Sequence, residues 1–348
     1  MGNTASASRV ACEESTIGCD PVVPLYERRA ETTFDPARLL EVVNGGHIEH
    51  RLVEAKRFGV VHERLQLGSA CLDSGDYIMP VLATGSFPPG MLSLGVTLRS
   101  NGPVKSNGYR IAKGEIQVYA EGEDVFYRSE AGVAWAALTV PRDVLQRHAV
   151  NLLGHPLTLL ERGTANAGLP PASADRLVNS VRDLLDRAGA SAKEGTGAVG
   201  GRALEGEVIE VFVGGLAAAT GASVPDSHVA DRNARVRTVI EFLRTRLDRP
   251  FVLAEICEVT GLPARTLQHT FQQLYGLTPR QWFQAERLCR VRSDLLDRRG
   301  EPGDVTRVAM RWGFYHLGRF SQSYREHFGE SPSETFRSAP LTPRILTS

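Results

Sequence analysis

The last hundred residues of this chain contain one unit twice, and that duplication restricts the fold more than any bulk property does. Leu253-Ala254-Glu255-Ile256-Cys257, Gly261-Leu262, Leu267, Phe271, Tyr275-Gly276, Thr278-Pro279 and Phe283 recur as Val305-Thr306-Arg307-Val308-Ala309, Gly313-Phe314, Phe320, Tyr324, Phe328-Gly329, Ser331-Pro332 and Phe336. The offset is 52 residues from Leu253 to Val305 and 53 from Leu267 to Phe320, so one residue has been added in the second turn, near Tyr315. Each copy reads as short helix, tight turn, second helix. Gly261 and Gly313 fall where the chain reverses, and glycine takes positive φ without a Cβ penalty. Leu267, Phe271 and Leu274 share the inward face of one second helix; Phe320, Tyr324 and Phe328 share that of the other. Thr278-Pro279-Arg280-Gln281 and Ser331-Pro332-Ser333-Glu334 both match a capping box with proline at the first helical position.

Between the copies, Pro279 to Leu296 reads as a long helix with Trp282, Phe283, Leu288, Val291, Leu295 and Leu296 available for burial. Ahead of them, Val236, Val239, Ile240, Leu243 and Leu247 give Arg232 to Leu247 an apolar face that needs a partner, and Pro250 ends the helix. Two helix-turn-helix units held by a rigid connector can set their exposed helices into successive major-groove segments, about 34 Å apart. A plain helical bundle is the alternative, because Gly-hydrophobic turns also join structural helices. Charge agrees with a polyanion partner: residues 1–228 hold 21 basic and 27 acidic side chains, while residues 229–339 hold 18 basic, all arginine, and 13 acidic. A solvated helical surface would show the same excess.

The region from about Asn233 to Ala339 resembles the DNA-binding domain of AraC/XylS-type transcriptional regulators. The resemblance rests on Leu253-Ala254 with Cys257, on Leu267, Phe271 and Tyr275-Gly276 with Pro279, and on Arg287-Leu288. Above all it rests on Gly313-Phe314, Phe320-Ser321-Gln322-Ser323-Tyr324-Arg325 and Gly329-Glu330-Ser331-Pro332. It implies a sequence-specific regulator of transcription. Pro263-Ala264-Arg265 stands where a serine-containing cap is common, so the first unit is expected to start differently.

On the first exposed helix the polar positions left over are Arg265, Thr266, Gln268 and His269; on the second they are Arg319, Ser321 and Gln322, with His316 and Leu317 at its start. These are the candidate base contacts. Arg265 can pair with guanine and Gln268 with adenine, each discriminating by about 1 to 3 kcal/mol if bidentate. Gly318 cannot reach a base. Arg280, Arg311 and Arg325 are candidates for phosphate contacts.

The rest of the chain reads differently. Residues 1–46 look like a turn-rich arm with a short helix near Asp35 to Val42. From His47 to Val140, Gly59 to Leu67, Met91 to Leu98, Glu115 to Tyr119 and Val133 to Val140 alternate as short strands between turns, which suggests a sandwich or barrel. Helices are expected over Pro141 to Leu153, Ser173 to Arg187 and Leu204 to Ala219, with a flexible loop at Gly189 to Gly201 and a linker at Thr220 to Ser227. The fold class is therefore α+β: a β-rich domain over 47–222, resembling the cupin-like sensing domains often joined to this module, and an all-α domain over 229–339. A sensing domain needs an apolar pocket with a few polar groups, and Tyr77, Tyr109, Tyr119, Tyr127 and Trp135 are candidates to line one. Ordinary packing is the alternative for each. The apolar faces of the two later helices could form a homodimer surface or simply cover the sheet.

Other chemistry finds little support. His47, His50 and His62 lack the spaced His-x-His with Glu of a metal-binding cupin, Gly85 to Gly90 lacks the Lys-Ser/Thr of a phosphate loop, and no nucleophile elbow is present, so no metal or cofactor is expected. The alternative function is a DNA-targeted enzyme, such as a repair alkyltransferase carrying the same DNA-binding module. It needs a cysteine activated by a neighbouring base, and Cys12, Cys19 and Cys71 carry no such signature. Five cysteines without CxxC spacing, no secretory apolar segment and no membrane-length run suit a bacterial cytoplasmic protein, nucleoid-associated when bound to DNA. The expected partners are promoter DNA, a small-molecule effector, a second copy of the chain and, for an activator, RNA polymerase.

Overall fold

The computed structural model describes residues 25–52, 58–194, 201–220, 222–223, 227–297 and 304–338. In chain order these form β1 (Leu25–Glu31), a 3-10 turn (Pro36–Leu39), β2 (His47–Leu52), β3 (Val60–Leu67), β4 (Ala70–Tyr77), β5 (Val81–Ser86), β6 (Leu92–Arg99), β7 (Val104–Ser106), β8 (Tyr109–Ile111), β9 (Ile116–Tyr119), β10 (Asp124–Ser129) and β11 (Val133–Val140). Then follow α1 (Arg142–Leu153), β12 (Thr164–Ala167), α2 (Pro171–Glu194), α3 (Gly201–Ala217) and β13 (Ala222–Ser223). The C-terminal part is α4 (Ser227–Arg244), α5 (Leu253–Thr260), α6 (Ala264–Tyr275), α7 (Pro279–Asp297), α8 (Asp304–Arg311), α9 (Leu317–Phe328) and α10 (Pro332–Ser338).

The strands make two antiparallel sheets, a large one ordered β1-β3-β4-β11-β6-β9-β12-β13 and a small one ordered β2-β5-β10-β7-β8. Successive side chains on a strand face opposite ways, and both sheets bury both faces. On β11, Val133 and Ala137 join the core between the sheets, whereas Ala134, Ala136, Leu138 and Val140 meet α1, α2 and α3. On the small sheet, Ile48, Val81, Ala83 and Val125 face the inter-sheet core, while Leu82 and Phe126 join the core of the C-terminal helices. The outcome is four layers: helices, large sheet, small sheet, C-terminal helices.

The apolar faces expected on α2 and α3 are spent on the large sheet, with Leu177, Val181, Leu184, Val208 and Phe212 at most 4% exposed. Among the described residues no helix is long and apolar enough to cross a membrane.

Several expectations need correction. Residues 25–46 are no loose arm: β1 pairs with β3 along its whole length, and Phe34, Leu39, Val42 and Val43 are buried. The strand hides in the sequence because Leu25–Glu31 is mostly charged, as suits an exposed sheet edge. The helix expected near Asp35 to Val42 is a single 3-10 turn, started by the Asp35 carboxylate accepting from the Ala37 amide at 3.1 Å. The loop expected from Gly189 to Gly201 is helical through Glu194 and Gly201 already opens α3, residues 195–200 lying outside the described residues. Within the expected linker, Ala222–Ser223 pairs with β12.

Candidate nucleic-acid interface and effector cavity

Both helix-turn-helix units form as the repeat requires. Gly261 and Gly313 take positive φ, 65° and 76°, at the reversals between α5 and α6 and between α8 and α9. Leu267, Phe271 and Leu274 are buried on α6, as are Phe320, Tyr324 and Phe328 on α9. Both capping boxes close. The Gln281 amide donates to Thr278 Oγ1 at 3.2 Å while Thr278 N–H donates to Gln281 Oε1 at 2.9 Å. The Glu334 amide donates to Ser331 Oγ at 3.3 Å and Ser331 N–H to Glu334 Oε2 at 2.6 Å. Neither second helix has a side-chain cap: Pro263 precedes α6 and His316 precedes α9.

Burying those apolar faces leaves the polar ones outward. Arg265, Thr266, Gln268 and His269 are exposed along α6, and His316, Arg319, Ser321 and Gln322 are exposed at the start of and along α9. Gln322 donates to Glu326 Oε1 at 2.9 Å, one turn on. Leu317 is half-buried against the second unit's core, so the apolar side chain is partly spent on packing. Arg280 and Arg325 are exposed; Arg311 is exposed too but lies 3.4 Å from Asp294.

The cavity lies between the sheets. It has a volume of about 70 Å³ and is walled mainly by aliphatic side chains, with Tyr119, Tyr127, Trp135 and His50 among them. Of the five aromatic candidates, three therefore line it and two do not. Tyr109 is half-buried against the inter-sheet core, outside the lining. Tyr77 is fully buried behind it, its hydroxyl 2.6 Å from His62 Nε2 and 3.0 Å from His50 Nε2. Burial depresses both histidines, His50 to about 4 and His62 to about 3, so both are neutral at pH 7. His47 is exposed and stands apart from the pair, and no group of three metal-ligating side chains gathers among the described residues.

No residue pattern marks what joins the cavity to α6 and α7. Strands β2, β5 and β10 carry cavity-lining residues on one face and docking residues on the other. His50 lines the cavity; the next residue, Arg51, points away from it and meets α7. Its Nε lies 2.5 Å from Glu286 Oε2, with both side chains 2% exposed, and its guanidinium sits 5.0 Å from the Trp282 ring centre. Arg51 also donates to Thr84 Oγ1 of β5 at 2.7 Å and pairs with Glu49 at 2.8 Å. Arg244 of α4 pairs with Glu49, and Arg290 reaches Glu286 at 3.3 Å. Burial opposes the ionisation of Glu286, but Arg51, Arg244 and Arg290 outweigh it and hold the carboxyl below its ordinary range. On β10, Tyr127 lines the cavity while Phe126 packs edge-on against Tyr275 of α6, 6.1 Å between ring centres. Arg237 of α4 pairs with Asp124 at the start of the same strand.

The described cysteines are all free. Burial pushes the Cys71 thiol well up and Cys289 up to about 12, the opposite of what an activated nucleophile requires. Cys12 and Cys19 lie outside the described residues.

Comparison with known proteins falls on the helical part. Residues 256–338 match a family described as "Helix-turn-helix domain". The chain is 38% identical over 108 residues to the probable thc operon regulatory protein of Rhodococcus erythropolis, covering 30% of this chain and 32% of that protein. It is 32% identical over 117 residues to the XylDLEGF operon transcriptional activator of Pseudomonas putida, covering 34% and 36% respectively. The chain thus spans about a third of the length of these curated relatives. Among solved structures, ToxT from Vibrio cholerae overlaps 79% of this chain and 99% of its own at 13% identity, with a TM-score of 0.29, too loose to relate the two chains as wholes.

Proposed function

We propose, from the match of residues 256–338 to a helix-turn-helix domain and the resemblance of this region to the AraC/XylS type, that this protein is a sequence-specific regulator of transcription answering to a small molecule held between its two sheets. In this reading Arg265 and Gln268 of α6 read guanine and adenine edges, with Thr266 and His269 beside them. His316, Leu317, Arg319, Ser321 and Gln322 serve the second box, and Arg280, Arg311 and Arg325 hold phosphates. The observation that carries the effector response is the small sheet itself, a single layer with the cavity on one side and α6 and α7 on the other. An occupant that shifts β2, β5 or β10 changes the docking of the reading helices, provided it binds the two arrangements with different affinity.

The regulator works as a cytoplasmic protein associated with the nucleoid, pairs with a second copy and, as an activator, meets RNA polymerase. A dimer must use a surface other than the apolar faces of α2 and α3, which the sheet occupies.

Footprinting of the full chain on the DNA flanking its own gene, with and without candidate metabolites, tests the reading. Two protected boxes about one helical turn apart are expected, with a pattern that shifts when an effector is added. The same affinity for that DNA as for bulk DNA at physiological salt overturns it.

A further inference from the structure

The composition of the cavity wall limits what can occupy it. Among the described residues no lysine, arginine, aspartate or glutamate lines it. Most of its polar groups are already engaged. The Tyr119 hydroxyl lies 2.5 Å from Ser106 Oγ, and Gln117 Nε2 donates to the Glu115 carbonyl at 2.7 Å. His50 uses both ring nitrogens, Nδ1 at 3.2 Å from the Ile48 carbonyl and Nε2 on Tyr77. Tyr127 differs. Its hydroxyl is buried and meets no hydrogen-bond partner in normal geometry among the described residues; burial pushes its pKa up, and Ser129, two residues along the strand, opposes that rise.

A carboxylate entering this space would give up its hydration and meet no cation, a penalty of several kcal/mol even after relaxation. A neutral molecule avoids that penalty, and one carrying a carbonyl or ether oxygen could satisfy the unpaired Tyr127 hydroxyl. Size adds a second limit. A volume of about 70 Å³ suits an occupant of about one ring, which would lie against Tyr127, Trp135, Tyr119 and Phe87.

We propose that the cavity selects an uncharged, predominantly apolar, single-ring ligand whose one hydrogen-bond acceptor engages Tyr127, and that it rejects the corresponding carboxylate. This rests on the cavity being the effector site. Displacement of Tyr127 gives the ligand a lever, because Phe126, one residue back, packs on Tyr275 at the end of α6.

The test is calorimetric titration of the full chain at neutral pH with benzamide, benzoate and toluene, three molecules of similar shape that differ in charge and hydrogen bonding. Benzamide is expected to bind at least about tenfold more tightly than benzoate. Tyr127→Phe is expected to weaken benzamide by about three- to tenfold, the range of one neutral hydrogen bond, and to leave toluene as it was. Benzoate binding as well as benzamide, equal loss for benzamide and toluene in Tyr127→Phe, or no binding by any of the three each overturns the proposal. Footprinting of the same preparation keeps the two readings apart: a sequence-specific footprint with no neutral-ligand preference sinks this inference alone, and a missing footprint sinks the regulator.

Discussion

The two helix-turn-helix units descend from one pattern, yet they are fastened to the rest of the molecule in different ways. The first is held by the sheet that walls the cavity: Leu82 and Phe126 enter its core, and Arg51 is buried against Glu286 and Trp282. The second is fastened from the side. Phe34, from the segment after β1, stacks on Phe328 of α9 at 6.0 Å, and Arg292 of α7 donates to the Phe34 carbonyl while pairing with Glu330 at 2.8 Å. The duplication therefore fixes how each unit folds and leaves open how each is attached. The cavity therefore reaches the two units by different contacts: through Phe126 beside Tyr127 to α6, and through the core that Val42 and Val43 share with Phe34 and Phe328 to α9.

Removing one partner from the buried pair should separate the units most. Glu286→Ala leaves Arg51 at 2% exposure with Glu49 as its remaining carboxylate, which should cost about 3 kcal/mol in urea unfolding, and replacing both Arg51 and Glu286 with methionine should recover most of it. Phe34→Ala, by leaving a cavity against Phe328, should cost about 3 kcal/mol. Hydrogen exchange gives the sharper readout: Glu286→Ala should open α6 and β10 before α9, and Phe34→Ala the reverse. Equal opening of both helices in both variants breaks the distinction between the attachments.

Acid should also tell the units apart. His327 on α9 is depressed to about 4, by burial and then by the charge on Arg292, whereas His269 on α6 is exposed. An unfolded histidine takes up its proton near about 6.5, so below that pH the unfolded chain binds more protons than the folded one. Stability then falls with pH, by about 1.4 kcal/mol per unit for a fully linked histidine, until the folded group also titrates near 4. Amides of α9 should lose protection between pH 6.5 and 5 ahead of those of α6, and His327→Gln should remove the difference. A difference that persists in His327→Gln assigns it to another group.

Operator specificity should divide less steeply. Arg265→Ala should relax one base position by about 1 to 3 kcal/mol, read by competition against single-base operator variants. Arg319→Ala should relax its position less, because Gly318 beside it presents no side chain and Gln322 is already bonded to Glu326. Equal relaxation at both boxes means that the second helix reads as many bases as the first.

What the sequence made legible was local. Thr278 with Gln281 and Ser331 with Glu334 lie three residues apart, so spacing alone forecasts their bonds. The apolar faces of α6 and α9 follow from periodicity in the same way. Attachment was illegible because its partners are far apart in sequence, Arg51 and Glu286 by 235 residues and Phe34 and Arg292 by 258. β4 is hard to read in the sequence because Asp73 interrupts its apolar pattern, and only the structure shows that carboxylate buried against Arg64 at 2.6 Å. The tyrosines divide for a similar reason. Whether Tyr127 or Tyr77 borders the cavity depends on strand phase and on what stands between, and residue type carries neither.

The smallest effect concerns phosphate contacts, where the units again differ. Each neutralised phosphate contributes about 0.9 to the slope of log affinity against log salt. Arg325 on α9 is exposed, and its loss should lower that slope by about 0.9 on operator and bulk DNA alike. Arg311 on α8 lies 3.4 Å from Asp294, so part of its charge is already answered within the protein and Arg311→Ala should change the slope less. Arg280, exposed at the start of α7, should behave like Arg325 if both units grip the backbone. Should Arg280→Ala leave the slope intact while Arg325→Ala lowers it, the backbone grip belongs to the second unit and the first contributes base reading alone.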